Sequence, residues 1–225
     1  MTFSHLLQSI TDRGLAYRGT MQVQVGEPYL DPAIVSIVLV GFSGEQDWEA
    51  FAKSRERSDG GTDPLDRWST RVLRSIAEDV GATPLFPFAG PQWWPFQKWG
   101  RKAEALFPTP IGILIHPKWG LWHSWRGALA FRVFLDTPPP QVENNPCDSC
   151  EEKPCLRACP VQAFRTSGYE VARCLDYLDE PDATGCMTHG CSARRACPIG
   201  AQYQYQPERA AFHMTAFRDG LLRSS

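Results

Sequence analysis

The first 146 residues of this 225-residue chain contain no cysteine, which excludes a disulfide framework spread over the whole fold. An excess of one charge is also missing: 23 Lys and Arg stand against 25 Asp and Glu, a net charge of −2. With a pI near 6.2, a nucleic-acid partner is not expected, and no polybasic run suggests an anionic membrane surface. Long apolar runs are lacking as well. The longest, AIVSIVLVGF from Ala33 to Phe42, is about half of the ~20 residues that a membrane-spanning helix requires. The N-terminal stretch MTFSHLLQSITDRG has neither the basic start nor the continuous apolar segment of a signal peptide, and reads instead as an amphipathic helix on Phe3, Leu6, Leu7 and Ile10. A cytoplasmic location and no membrane partner are therefore expected.

What is present begins with enough apolar residues, 43%, to bury one large domain or one domain with an appendage. LAYRGTMQVQV and the run from Ala33 to Gly41 read as strands. Ser43 with Gln46 three residues on forms a capping-box pattern ahead of Trp48 and Phe51. After Gly60-Gly61, Thr62 is the expected N-cap of a helix on Leu65, Trp68, Val72, Ile76 and Val80, with Pro64 in its first turn and Gly81 at its end. TPLFPF reads as a short extended piece, PQWWPFQKWGRKAEALF as a Trp-rich loop running into a helix, and GILIHP and GALAFRVFL as two further strands. The alternation of strands and helices predicts a layered α/β domain over residues 1–140. The prolines of DTPPP, Asp136 to Pro140, can continue neither a helix nor a central strand, so a second domain is placed at 141–225.

All eight cysteines, Cys147, Cys150, Cys155, Cys159, Cys174, Cys186, Cys191 and Cys197, crowd into the second part. In a reducing compartment such crowding points to metal. Cys147-x2-Cys150-x4-Cys155-x3-Cys159-Pro160 is close to the bacterial ferredoxin run, with four residues where that run has two. Cys186-x4-Cys191-x5-Cys197-Pro198 is a looser second copy, and Cys174 lies between them. In two-cluster ferredoxins the cysteine before proline serves the other cluster. Applied here, Cys147, Cys150, Cys155 and Cys197 bind one 4Fe-4S cluster, and Cys159, Cys174, Cys186 and Cys191 the second. Arg157, Arg165, Arg173, Arg194 and Arg195 stand among these thiols, where they would offset cluster charge, donate hydrogen bonds to sulfur, or simply face solvent. The alternative is two zinc sites of four thiolates each, but only Cys147 and Cys150 form the expected C-x2-C pair.

This cysteine pattern, with a lone cysteine in RCLDYL and then GCSARRACP, is similar to the C-terminal part of epoxyqueuosine reductase, a cobalamin-dependent family that completes a modified tRNA nucleoside. The resemblance covers Cys147 to Cys197 and implies the same division of ligands. It also implies a small ferredoxin-like two-cluster module following the α/β domain, an α+β protein overall. Upstream, Gly120, Leu121, Arg126 and Gly127 in WGLWHSWRGALAF resemble the segment with which that family helps enclose its corrinoid. Where the family carries its catalytic acid, ATPLFPFAGPQWWPFQKW holds no Asp or Glu.

Between Pro91 and Phe131 six tryptophans stand beside His116 and His123. His116, Trp119, Trp122, His123 and Arg126 are the candidates to wall a flat cofactor, cobalamin or flavin, with Arg126 or Lys118 for a phosphate and a histidine for proton delivery. The opposing reading is that the tryptophans are core packing and the histidines structural. His189 and His213 are weaker candidates for contact with the chemistry. The sequence thus predicts a redox protein passing single electrons through two 4Fe-4S clusters to a site on the N-terminal domain, with a redox protein as donor and a small molecule as candidate substrate. The alternatives are a plain ferredoxin-type carrier whose N-terminal domain only docks partners, and a zinc-binding interaction module.

Overall fold

The computed structural model describes residues 2–24, 27, 30–90, 93–140, 143–165 and 168–222, except the side chains of Gln46 and Leu222. It is an α+β structure in two units. Met1–Ala105 and His123–Val142 form the first; Leu106–Trp122 and Glu143–Ser225 form the second. The change of unit after the proline run was expected, whereas the transfer of Leu106–Trp122 to the cysteine-bearing unit was not. Pro91, Gln92 and Gln141, which fall in the Trp-rich loop and at the expected boundary, lie outside the described residues.

The first unit is built on strands β1 (Ala16–Gln22), β2 (Ser36–Ser43), β3 (Thr83–Leu85) and β4 (His123–Phe131), in the order β1-β2-β4-β3. Every pairing is antiparallel, so the expected layered α/β arrangement is corrected to helices on an antiparallel sheet. The reason is local: among the described residues no helix stands between β1 and β2, and a strand that returns without a crossover must run antiparallel. All eight residues of β2 are buried. Ile37 and Leu39 pack with Ala128 and Ala130 of β4 and with Phe96, Trp99 and Ala103 of helix α5 (Phe96–Ala103). On the other face Phe42 stacks on Trp68, ring centroids 5.8 Å apart. A strand covered by helices on both sides loses polar alternation, which is why this run is continuous in the sequence.

Helix α1 (Phe3–Thr11) starts where Thr2 Oγ1 accepts the His5 N–H at 3.2 Å, and buries Leu6 and Ile10. The short helices α2 (Glu49–Ala52) and α3 (Arg55–Ser58) precede α4 (Pro64–Val80). Leu65, Trp68, Val72, Ile76 and Val80 are all buried along α4, and Gly81 closes it at φ 68°. Its N-cap is Asp63, not Thr62. The residue before a proline is barred from the helical region, and Asp63 takes the left-handed one at φ 46°. At the expected capping box, Ser43 donates from its N–H and its hydroxyl to Asp47 Oδ2, at 2.7 and 3.0 Å. The Gln46 half of that expectation lies outside the described side chains.

A buried ion pair ties α5 to the sheet. Arg18 donates through Nε and Nη2 to Glu104 Oε2, at 3.0 and 2.7 Å, and through Nη1 to the Phe42 carbonyl. Trp125 Nε1 donates to Glu104 Oε1 at 3.1 Å. Burial pushes the Glu104 carboxyl up, and Arg18 and Trp125 oppose it. Next to Arg18, Gly19 sits at φ 96°, where a Cβ would stand 2.3 Å from the Ala103 carbonyl oxygen; only glycine allows β1 and α5 to approach so closely.

The second unit has short elements only, until its last helix: α6 (Pro154–Arg157), β5 (Phe164–Arg165), β6 (Gly168–Tyr169), α7 (Val171–Leu178), α8 (Thr184–His189), α9 (Ser192–Arg195) and α10 (Pro207–Leu222). Its core joins Ile111, Ile115, Leu121, Cys159, Ala163 and Ala193, with Leu156, Val161, Phe164, Ile199 and further cysteines around them. GILIHP, expected as a strand, makes isolated bridges instead, Phe107 with Ile115 and His116 with Gly120. Pro108, Pro110 and Pro117 cannot donate to a ladder, and Gly112 turns at φ 78°. No helix among the described residues is long and apolar enough to cross a membrane.

Two stability outcomes follow. Glu104→Ala leaves Arg18 as an unpaired buried cation and is expected to destabilise the first unit by about 3–5 kcal/mol, read by denaturant unfolding. A fragment beginning at Glu143 keeps every cysteine but loses Ile111, Ile115 and Leu121 from its core. It is expected to stay unfolded by circular dichroism, and Leu121→Ala in the full chain to cost about 2–5 kcal/mol.

Candidate metal centre

Each cysteine is presented by a turn or a helix too short to stand alone. Lys153, at φ 42°, lets the chain enter α6 through Pro154, bringing Cys155 onto its first turn. After α6 the Cys159 carbonyl accepts the Gln162 N–H at 3.1 Å, and the Ala163 N–H donates to Cys159 Sγ at 3.3 Å. Cys174 lies within α7 and Cys186 within α8, Cys191 caps α9, and Cys197 follows it. Pro160 follows Cys159 inside the turn closed at Gln162, and Pro198 follows Cys197 directly.

All eight thiols are free of disulfides. Cys147 is within electrostatic reach of Cys197, Cys155 and Cys150; Cys155 of Cys150; and Cys197 of Cys155 and Cys150. Those four are the first group. Cys174 lies beside Cys159 and Cys186, and Cys191 beside Cys186 and Cys174. These are the second group, and all four line one cavity of about 430 Å³. The first group thus takes one member from beyond the second, and the second takes Cys159 from the first motif. No family model matches this chain, and no curated protein matches it significantly.

The electrostatics run one way. Burial pushes up the Cys147, Cys155, Cys174, Cys191 and Cys197 thiols, and the neighbouring sulfurs add to it for each. Opposing this are Lys153 near Cys147, the backbone N–H groups of Leu156 at Cys155 and Ile199 at Cys197, those of Arg194 and Ala193 at Cys191, and the Tyr169 hydroxyl at Cys174. Four sulfurs gathered without a cation favour the thiol; a cationic core among them favours the thiolate. Among the described residues, no three His, Cys, Asp or Glu side chains converge on a single-ion position. Four thiolates on one zinc would stand only about 4 Å apart, given a tetrahedral Zn–S bond of about 2.3 Å. A multi-iron core needs a wider setting, because each thiolate binds its own iron.

The residues expected to hold a flat cofactor are divided between the units. In the second, His116 Nδ1 accepts the N–H groups of Lys118 and Trp119 at 3.0 and 3.3 Å, forming a turn. Trp119 meets Tyr203 edge-on at 4.6 Å, and Trp122, 1% exposed, packs against Tyr205. In the first, His123 is buried at the start of β4, and Arg126 bonds Ser69 Oγ at 2.9 Å and pairs with Asp66. None of the five lines the cavity of the second cysteine group. His213 of α10 does line it, and His189 is exposed.

Four of the five arginines expected near sulfur are engaged elsewhere. Arg157 pairs with Glu152, and Arg165 and Arg173 with Glu170. Arg194 donates through Nε to the Leu121 carbonyl at 3.1 Å and lies over the Trp122 and Tyr205 rings, 4.4 and 4.8 Å from their centroids. Its backbone N–H, not its guanidinium, reaches Cys191. Sequence reasoning missed Ser192, whose hydroxyl lies 3.3 Å from Cys186 Sγ, and Tyr169, which lines the same cavity as Cys174. The spacing of Cys186, Cys191 and Ser192 could have drawn attention to the serine; no local signal pointed to the tyrosine.

Arg194→Ala removes the donor that fixes the Leu121 carbonyl and uncovers Trp122. It is expected to cost about 1–3 kcal/mol and to change tryptophan fluorescence, with Arg194→Lys restoring only part, because a point charge cannot both stack and fork.

Proposed function

We propose that this is a redox protein that passes single electrons through two 4Fe-4S clusters held in a ferredoxin-like module formed by the second unit. The observation that carries the reading is the sorting of eight free thiols into two fours in crossed order, Cys197 with Cys147, Cys150 and Cys155, and Cys159 with Cys174, Cys186 and Cys191. Each cluster, when bound, takes up and releases one electron. The chain's part is to supply four thiolates per cluster, to direct N–H and O–H donors at them, and to limit water through the small side chains of Ala163 and Ala193. Zinc is the weaker reading, since the thiols do not converge on single-ion positions.

The electron's destination separates two versions of this reading. In one, the N-terminal unit serves an acceptor such as a corrinoid or flavin, as the resemblance implied; in the other it docks a partner protein. The engagement of Trp122 by Tyr205 and Arg194, and of Arg126 by Asp66 and Ser69, favours the carrier. Protein purified without oxygen decides it, because a second chromophore besides iron-sulfur would restore the enzyme version.

About eight irons per chain are expected, four for each of two cubes. Cys197→Ser and Cys159→Ser are each expected to lose about half of the iron and to abolish different electron paramagnetic resonance signals. Cys147→Ser should match Cys197→Ser. If Cys147→Ser and Cys159→Ser abolished the same signal, the crossed assignment would be wrong, and a colourless protein containing zinc would end the redox reading.

A further inference from the structure

We infer that the hydroxyls of Tyr169 and Ser192 set the reduction potential of the second cysteine group, holding it higher than its apolar surroundings alone would allow. The inference rests on the reading of that group as a cluster site and adds to it the residues that tune it.

The cavity around Cys159, Cys174, Cys186 and Cys191 is walled largely by apolar side chains, among them Ile111, Ile113, Phe164 and Phe217. An iron-sulfur centre gains negative charge when reduced, so apolar walls disfavour the reduced state and pull the potential down. Hydrogen bonds to the ligand sulfurs act in the opposite direction. Candidate donors stand at all four sulfurs of the second group. Backbone N–H groups serve two of them, Ala163 at Cys159 and Ala193 with Arg194 at Cys191. Side-chain hydroxyls stand at the others: Ser192 Oγ lies 3.3 Å from Cys186 Sγ, and Tyr169 lines the same cavity as Cys174.

Both hydroxyls are held in place. Tyr169 pairs with Phe164 across the β5–β6 ladder, and their rings stack at 4.7 Å and 17°. Ser192 is the first residue of α9, directly after Cys191. Between a thiol and a serine either partner could donate, but a metal-bound thiolate has no proton, which leaves the serine as donor. In the first group, Leu156 and Ile199 donate from the backbone and Lys153 contributes charge near Cys147. The hydroxyl pair is thus a removable contribution belonging to one group.

Redox titration of the full chain, followed by electron paramagnetic resonance, tests this. Tyr169→Phe keeps the stacked ring, and Ser192→Ala keeps the helix. Each is expected to move the midpoint of one signal to more negative potential, the signal abolished by Cys159→Ser, with iron content and the other midpoint unchanged. The double variant is expected to move it further. In the unaltered protein, resonance Raman Fe–S(Cys) bands are expected to shift in deuterated water, and the variants to lose part of that shift. Full iron with both midpoints unmoved overturns the inference, as does a shift confined to the signal abolished by Cys197→Ser. If either variant fails to hold iron, absence of the deuterium shift in the unaltered protein overturns it alone. Unaltered protein without iron overturns the cluster reading itself.

Discussion

Thiols brought together in a half-buried place repel one another once ionised, and burial opposes their ionisation as well. In the second unit that conflict occurs twice, and its architecture answers to it. Helices α6 and α9 are single turns, so their N–H groups lie close to Cys155 and Cys191 instead of being consumed in long hydrogen-bond ladders. Ala163 and Ala193 are fully buried, and their small side chains let backbone approach sulfur. Little aliphatic core is left over, and part of what exists comes from Leu106–Trp122.

That segment is fastened by backbone as much as by side chains. Gly120, at φ 59°, leaves no room for a Cβ, which would stand 1.9 Å from the Ile199 carbonyl oxygen, and Gly200 is crowded in the same way by Trp119. Arg194 adds a donor to the Leu121 carbonyl from the residue next to Ala193. The loop therefore belongs to the mechanical support of the cysteines, and its Trp119 and Trp122 pack against Tyr203 and Tyr205. In the first unit the corresponding fixed point is Arg18 with Glu104, a pair whose neutralisation of each other permits both to be buried.

Where a periodicity or a spacing carried the information, the sequence was readable. The apolar repeat of α4 and the uninterrupted β2 are patterns a chain displays in one dimension. The antiparallel pairing of the sheet depends on which strands meet, and the alternation of elements misrepresented it. Arg18 and Glu104 stand 86 residues apart and reveal nothing of their partnership locally. Trp119, Trp122 and Arg126 have the composition of a cofactor wall, but composition does not say that Trp119 and Trp122 meet Tyr203 and Tyr205 edge-on or that Arg126 pairs with Asp66. Tyr169 was invisible because its place beside Cys174 depends on a two-residue ladder with Phe164.

The crossed order has a consequence for biosynthesis. A chain made from its N-terminus exposes Cys147, Cys150, Cys155 and Cys159 together, well before Cys197 exists. On the proposed assignment those four are a sufficient ligand set in number but the wrong one in membership. Cys159 is withdrawn locally, buried and held by the Ala163 N–H only four residues on, so the earliest contacts to form oppose capture of a premature quartet. On the same proposed assignment the second set is complete at Cys191 and the first only at Cys197, which would make the centre encoded first the last to be finished.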